Sequence, residues 1–146
     1  MALIVGAVLA IIAVVIAMLE ANMDFQAIRR NEPINHRREM VERIRMVGSV
    51  MLIAYIGYGW ASGNVWCVIP FTGVAWASFT MSFRFALNYM RGLHPAYMSR
   101  SNDYDSLFIG MQRPTDGYIE RAGMMAYNVE GAVLMASFVS LYFWGA

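Results

Sequence analysis

The whole of residues 2–19 is apolar or Gly, and Glu20 is the first charge after it. An uninterrupted run of that length suits a helix that crosses a hydrocarbon core of about 30 Å, and exceeds what a buried strand needs. The helix can continue past a membrane interface to about Arg30. Pro33 then stops it, because proline has no amide hydrogen and disfavours helix at the residue before it. No basic n-region precedes the run and no small-residue cleavage pattern follows it in a polar context, so it is expected to be a retained helix rather than a removed signal.

Three further segments repeat the pattern. Residues 46–61, 66–90 and 121–142 are predominantly apolar, and the turn Ser62, Gly63, Asn64 separates the first two without a charge. Pro70 falls in the first turns of its segment, where the missing hydrogen bond costs least. Two polar segments remain, residues 20–45 and 91–120. The first contains an amphipathic stretch in which Arg38 and Glu42, and Glu39 and Arg43, are spaced for i,i+4 pairing. The second contains Gly110, Pro114 and Gly117, which argue against one continuous helix. Of the 146 residues, 59% are hydrophobic and 14% charged, against roughly a quarter charged in an ordinary soluble domain. The expected architecture is a single all-α integral membrane domain: four transmembrane helices bundled together, with the polar connections gathered on the cytoplasmic side.

That side follows from the arginines. All eleven basic residues are Arg. Arg29, Arg30, Arg37, Arg38, Arg43 and Arg45 lie in or beside the first polar segment, Arg91, Arg100, Arg113 and Arg121 in or beside the second, and none in the turn at residues 62–64. The positive-inside rule places both segments on the cytoplasmic face of what is expected to be a bacterial inner membrane, with both termini on the far side. An all-Arg set suits buried ion pairs and lipid headgroups, which the guanidinium binds in a bidentate fork; lineage bias in codon use gives the same count. Arg29, Arg30, Arg37 and Arg38 are the candidates for contact with anionic lipid, with Glu32, Glu39 and Glu42 offsetting part of their charge.

Two charges fall inside the expected spans. Glu130 lies nine residues past Arg121, about 13 Å along the helix, and Arg84 lies seven residues before Arg91, about 10 Å along its own. A carboxylate at that depth needs a partner or a proton. An intramembrane ion pair between Arg84 and Glu130, with Asn88 and Asn128 nearby, would lock the third and fourth spans together. A proton or ion path is the sharper alternative, but a single carboxylate makes no relay. Small residues (Gly123, Ala126, Gly131 and Ser137 on the last span; Gly48, Gly57 and Gly59 on the second) mark faces where backbones can approach closely, within one chain or between chains.

A metal site is the main catalytic candidate. Asp103 and Asp105, one residue apart, with His36 and His94 on the same side, could hold a divalent ion for an interfacial hydrolase or transferase. Asp-x-Asp is equally at home in a turn, where its carboxylates cap backbone amides. The lone Cys67 excludes an intramolecular disulfide and a Cys-based zinc site. No catalytic nucleophile is indicated, since there is no Gly-x-Ser-x-Gly elbow and no charge beside Cys67. There is no phosphate-binding Gly-rich loop, and the arginines are not interleaved with base-stacking aromatics, which argues against nucleic acid as a partner. No cofactor is called for.

The stretch Asn88, Tyr89, Met90, Arg91, Gly92, Leu93, His94, Pro95, Ala96, Tyr97, followed by Ser101, Asp105, Leu107 and Phe108, resembles a segment of small uncharacterised membrane proteins of bacteriophages and bacteria. His36, in the polar part before a helix, is a second point of similarity. The resemblance covers about a quarter of the chain and implies a phage or bacterial multi-pass membrane protein, with no activity to transfer; those proteins often carry an acidic residue where this chain has Arg84. The expected function is therefore that of a non-enzymatic membrane subunit, its partners being lipids and either other membrane subunits or itself. A metal-dependent enzyme at the lipid interface and a phage lysis or pore protein are the alternatives.

Overall fold

A computed structural model describes residues 1–32, 62–98, 103–112 and 115–144, together with isolated positions between 41 and 58. The described residues are helical and contain no strand. Helix α1 is Ala2–Arg29, α2 is Val68–Met90 entered through a 3₁₀ turn at Val65–Cys67, α3 is the short Asp103–Gly110, and α4 is Tyr118–Trp144. At 1.5 Å per residue α1, α2 and α4 are about 42, 35 and 40 Å long. Among the described residues, α1 and α4 are long and apolar enough to cross a membrane. The expected span over residues 66–90 forms a helix of adequate length but is not of that kind: Thr72, Ser78, Thr80, Ser82, Arg84 and Asn88 spread polar groups along it. The expected second span, residues 46–61, and the amphipathic stretch before it lie outside the described residues except for those isolated positions.

The helix ends follow from local chemistry. Asn31 adopts a left-handed φ of 51°, and the amides of Asn31 and Glu32 donate to the carbonyls of Ile28 and Ala27, closing α1 two residues before Pro33. The same closure ends α2, with Gly92 at φ 66° and the amides of Gly92 and Leu93 donating to the carbonyls of Tyr89 and Asn88. This is the Schellman arrangement, which satisfies carbonyls a helix end would otherwise leave bare. α4 begins at Tyr118, three residues before the expected Arg121, because the Arg121 guanidinium folds back to hold the turn before the helix. It donates to the Asp116 carbonyl at 2.8 Å and to the Thr115 hydroxyl.

Packing fixes the directions. The first residues of α1 and α2 and the last of α4 share one cluster, with Ala2, Leu9, Phe71, Val74 and Leu141 at its centre. Further along, Ala13 and Ala17 meet Phe79. Thus α1 and α2 run side by side in the same direction and α4 runs against them, with α2 packed along both. The ends of α1 and α2 and the start of α4 therefore come together, and there Met98 and Phe108 from the intervening segment and α3 pack on Ala122 and Ala126 of α4.

The buried line of α1 is Ala2, Gly6, Leu9, Ala13, Ala17, Ala21 and Asp24, one residue every three or four. Apart from Leu9, that line is built of small residues and Asp24, and many of the bulky residues point outward: Ile4 is 65% exposed, Ile11 64% and Leu19 61%. Small residues inside and large apolar residues outside reverse the order of a water-soluble core.

Two glycines of α4 behave differently. A Cβ on Gly123 would run into the Ala96 backbone carbonyl, so α4 and the turn at residues 93–97 meet backbone to backbone, whereas a Cβ on Gly131 meets nothing within 4 Å. Gly123→Ala is expected to cost about 1–3 kcal/mol, since backbone cannot step aside as a side chain can, while Gly131→Ala stays within about 0.5 kcal/mol of wild type. Heat unfolding of the two variants in mild detergent measures the difference.

Candidate functional site

Helix α2 brings a guanidinium, and α4 a carboxylate, to the seam between them. Arg84 is 7% exposed and Glu130 fully buried. Arg84 Nη1 donates to Glu130 Oε2 and Nη2 to Oε1, both at 2.9 Å. Removing each ion from water costs several kcal/mol, and only a geometry that satisfies both oxygens returns it. The planar fork of Arg does so; a Lys ammonium would leave one oxygen short.

The pair is built into its surroundings. The Arg84 guanidinium carbon lies 5.0 Å from the centre of the Tyr127 ring, three residues before Glu130 and so on the same side of α4. The Tyr127 hydroxyl donates to the Pro95 carbonyl at 3.0 Å. Asn88, one turn past Arg84, donates through Nδ2 to the same carbonyl at 2.9 Å and to the Tyr97 carbonyl at 2.8 Å. Asp105 on α3 lies within electrostatic reach of Arg84. One ion pair thus joins α2, α4 and the turn that Gly123 admits against α4.

The remaining candidates are distributed as follows. Asn128 does not join the pair: it is exposed on the far side of α4, because two residues before Glu130 is about 200° around the helix. Asn88 stands one turn from the pair but serves the turn's carbonyls. His94 is exposed, and its Nδ1 accepts a hydrogen bond from the Ala96 amide at 3.2 Å. Asp105 is half-buried on α3. His36 and the side chain of Asp103 lie outside the described residues, and among the described residues no three His, Cys, Asp or Glu side chains gather as a metal site would require. Arg29 is exposed at the end of α1 with its guanidinium 5.9 Å from the Phe25 ring centre, and Arg30 pairs with Glu32 at 3.3 Å. Arg37 and Arg38 lie outside the described residues. Cys67 is buried in the apolar cluster at the opposite end.

Three features escape a reading of the sequence. Tyr127 could have been found from its i,i+3 spacing to Glu130. Asp24, 8% exposed, continues the buried line of Ala17 and Ala21, a signal visible only once that line is known to face inward. The closeness of Gly123 to the Ala96 carbonyl depends on a turn that no local pattern specifies.

The chain matches no family model, and no curated protein or solved structure is similar to it.

Chemically, the arrangement holds helices in register, with both charged groups buried and turned to each other. Glu130→Ala is expected to cost about 3–5 kcal/mol by leaving a buried guanidinium unpaired, Arg84→Lys less, and the double change of Arg84→Met with Glu130→Leu to return close to wild type. A double-mutant cycle from heat or denaturant unfolding reads all three.

Proposed function

We propose that this chain is a non-enzymatic integral membrane subunit, a bundle of four spanning helices that packs into a larger membrane assembly or a homo-oligomer. The observation that carries the reading is the inverted packing of α1, with mostly Ala and Gly in its buried line and Ile4, Val8, Ile11, Val15, Met18 and Leu19 exposed. Lipid tails accept that surface; water does not.

Two further observations support it. The parallel run of α1 and α2 means that residues 33–61 have to carry the chain back from one end of the bundle to the other, which a returning span over residues 46–61 would do. The exposed apolar residues Leu52 and Ile56, four apart and so on one helix face, suit that span. The fold also gathers Arg29, Arg30, Arg91 and Arg121 at one end, while residues 1–19, 46–83 and 131–146 contain no charge at all. On the positive-inside rule that end faces the cytoplasm of a bacterial inner membrane and both termini face away. Arg29 and Arg30, with Arg37 and Arg38, are then placed to meet anionic headgroups, each worth about 1 kcal/mol near the surface.

The protein is expected to stay with membranes through an alkaline carbonate wash, to leave them only with detergent, and to emerge in mild detergent with fixed partners or as a defined multiple of its 16.4 kDa mass. Release by carbonate would overturn the membrane reading. Extraction as a lone chain would overturn the subunit reading.

A further inference from the structure

Two acids act on Arg84, and both follow it in the chain. Asp105 on α3 is within its electrostatic reach, and Glu130, which binds it through both oxygens at 2.9 Å, comes 46 residues later. Helix α2 itself offers the guanidinium little. The Thr80 hydroxyl is turned back onto the carbonyls of Trp76 and Ala77, and the Asn88 Nδ2 is held by those of Pro95 and Tyr97. Helix α1 meets α2 at Phe79, and Arg84 stands about 140° around α2 from that residue.

Order in the chain is order in time. At about 5–20 residues per second, the 46 residues from Arg84 to Glu130 take about 2–9 s to make. During that interval α2 carries a guanidinium, which cannot shed its charge, and has no Glu130 to receive it. A guanidinium in a spanning segment opposes insertion, and α2 has no surplus of apolar residues to offset it. Helix α4 is placed differently. It is long and apolar enough to cross, and a carboxyl can enter hydrocarbon with a proton on it. Residues 46–61 do not carry α2 across either. They number 16, short of the roughly 20 that a lone spanning helix needs, and only the uncharged turn at residues 62–64 separates them from α2, so the two segments enter as one hairpin.

We propose that the crossing of α2 is conditional on α4. The hairpin of residues 46–90 stays on the cytoplasmic side until Glu130 is in the membrane, and pairing with Arg84 then brings the turn at residues 62–64 to the far face. The last helix is thus the device that completes the fold, and a chain that has lost its carboxylate keeps a different topology. The proposal rests on the membrane reading above and adds to it a conditional step.

The test uses the full chain expressed in cells, with Cys67→Ala as the parent and single cysteines read by a membrane-impermeant maleimide from either face. In the parent, Ser62→Cys in the exposed turn is expected to label from the far face, and Gln26→Cys, exposed near the end of α1, from the cytoplasmic face. Glu130→Ala should shift the labelling of position 62 toward the cytoplasmic face at least about tenfold in ratio. Ala146→Cys should stay at the far face in the same variant, since α4 crosses by itself. Adding Arg84→Met to Glu130→Ala should return position 62 to the far face, although the ion pair is gone. Labelling reads the side of the membrane on which the turn lies, which loosened packing among inserted helices does not change. Far-face labelling of position 62 in Glu130→Ala equal to the parent, or cytoplasmic labelling that persists once Arg84→Met is added, would overturn the proposal and leave the subunit reading intact. Release of the parent by carbonate, or positions 62 and 146 that never label from the far face in it, would instead remove the membrane reading on which the proposal stands.

Discussion

The structure depends on a buried carboxylate that cannot be left alone. Glu130 is fully enclosed on a helix otherwise apolar for most of its length, and the two-point bond from Arg84 is what makes its ionised form tolerable there. The pair sets more than one distance. Its fork geometry fixes the rotation and the height of α2 against α4 together, since sliding either helix by one residue, about 1.5 Å, breaks at least one of two bonds already at 2.9 Å. Apolar contacts such as those of Phe79 with Ala13 and Ala17 tolerate such slippage; the ion pair does not. The same guanidinium is covered by Tyr127, whose hydroxyl holds the Pro95 carbonyl, so the register of two helices is passed on to the turn that closes the charged end.

Around that fixed point the bundle is ordered by size. Helix α1 is apolar on every side, so polarity cannot decide which face turns inward. Small residues decide it: Ala13 and Ala17 allow α1 close to Phe79 of α2, and most of the bulky side chains are left outside, Leu9 excepted. The same rule works between α2 and α4, where Gly73 faces Ser137 so closely that a Cβ on Gly73 would collide with the hydroxyl. It works again between α1 and α4, where a Cβ on Gly6 would come within 2.7 Å of the Leu141 Cδ1. Each helix contact thus has a small residue on at least one side.

These dependences explain which parts are legible in the sequence. Residues 2–19 declare themselves by unbroken hydropathy and 121–142 by a predominantly apolar run, and both lie within helices that are long and apolar enough to cross a membrane. Arg84 and Glu130 are legible as partners because helical rise alone gives each a similar distance from a charged helix end, and they do meet. The same reasoning misplaces Asn128 beside them, because depth along a helix says nothing about direction around it; the rotation from Glu130 carries it to the outer face. The helix Asp103–Gly110 is hidden for a different reason. Its surrounding Pro and Gly residues read as loop, while its stability comes from Phe108 packing on Ala122 and Ala126, a tertiary contact that propensity does not register.

Helix α2 is the one long helix of the described residues that is not apolar enough by itself to cross a membrane, and it has the central place among them; the two facts are connected. Its hydroxyls at Thr72 and Thr80 are turned back onto the carbonyls of Val68 and Trp76, which removes them as demands on the surroundings. Arg84 and Asn88 cannot be satisfied within their own helix, and each reaches out, one to α4 and the other to the turn. A helix with those two groups is poorly suited to lipid by itself and well suited to a site already flanked by α1 and α4. In a membrane, the order of assembly then follows from the chemistry: α1 can be stable in hydrocarbon as a single helix, while α2 and α4 each carry a charge that is stable there only when the other helix supplies its partner. The charge that looks like a liability in α2 and in α4 taken separately is what joins the two of them, and α1 packs along the α2 that this pair holds in place.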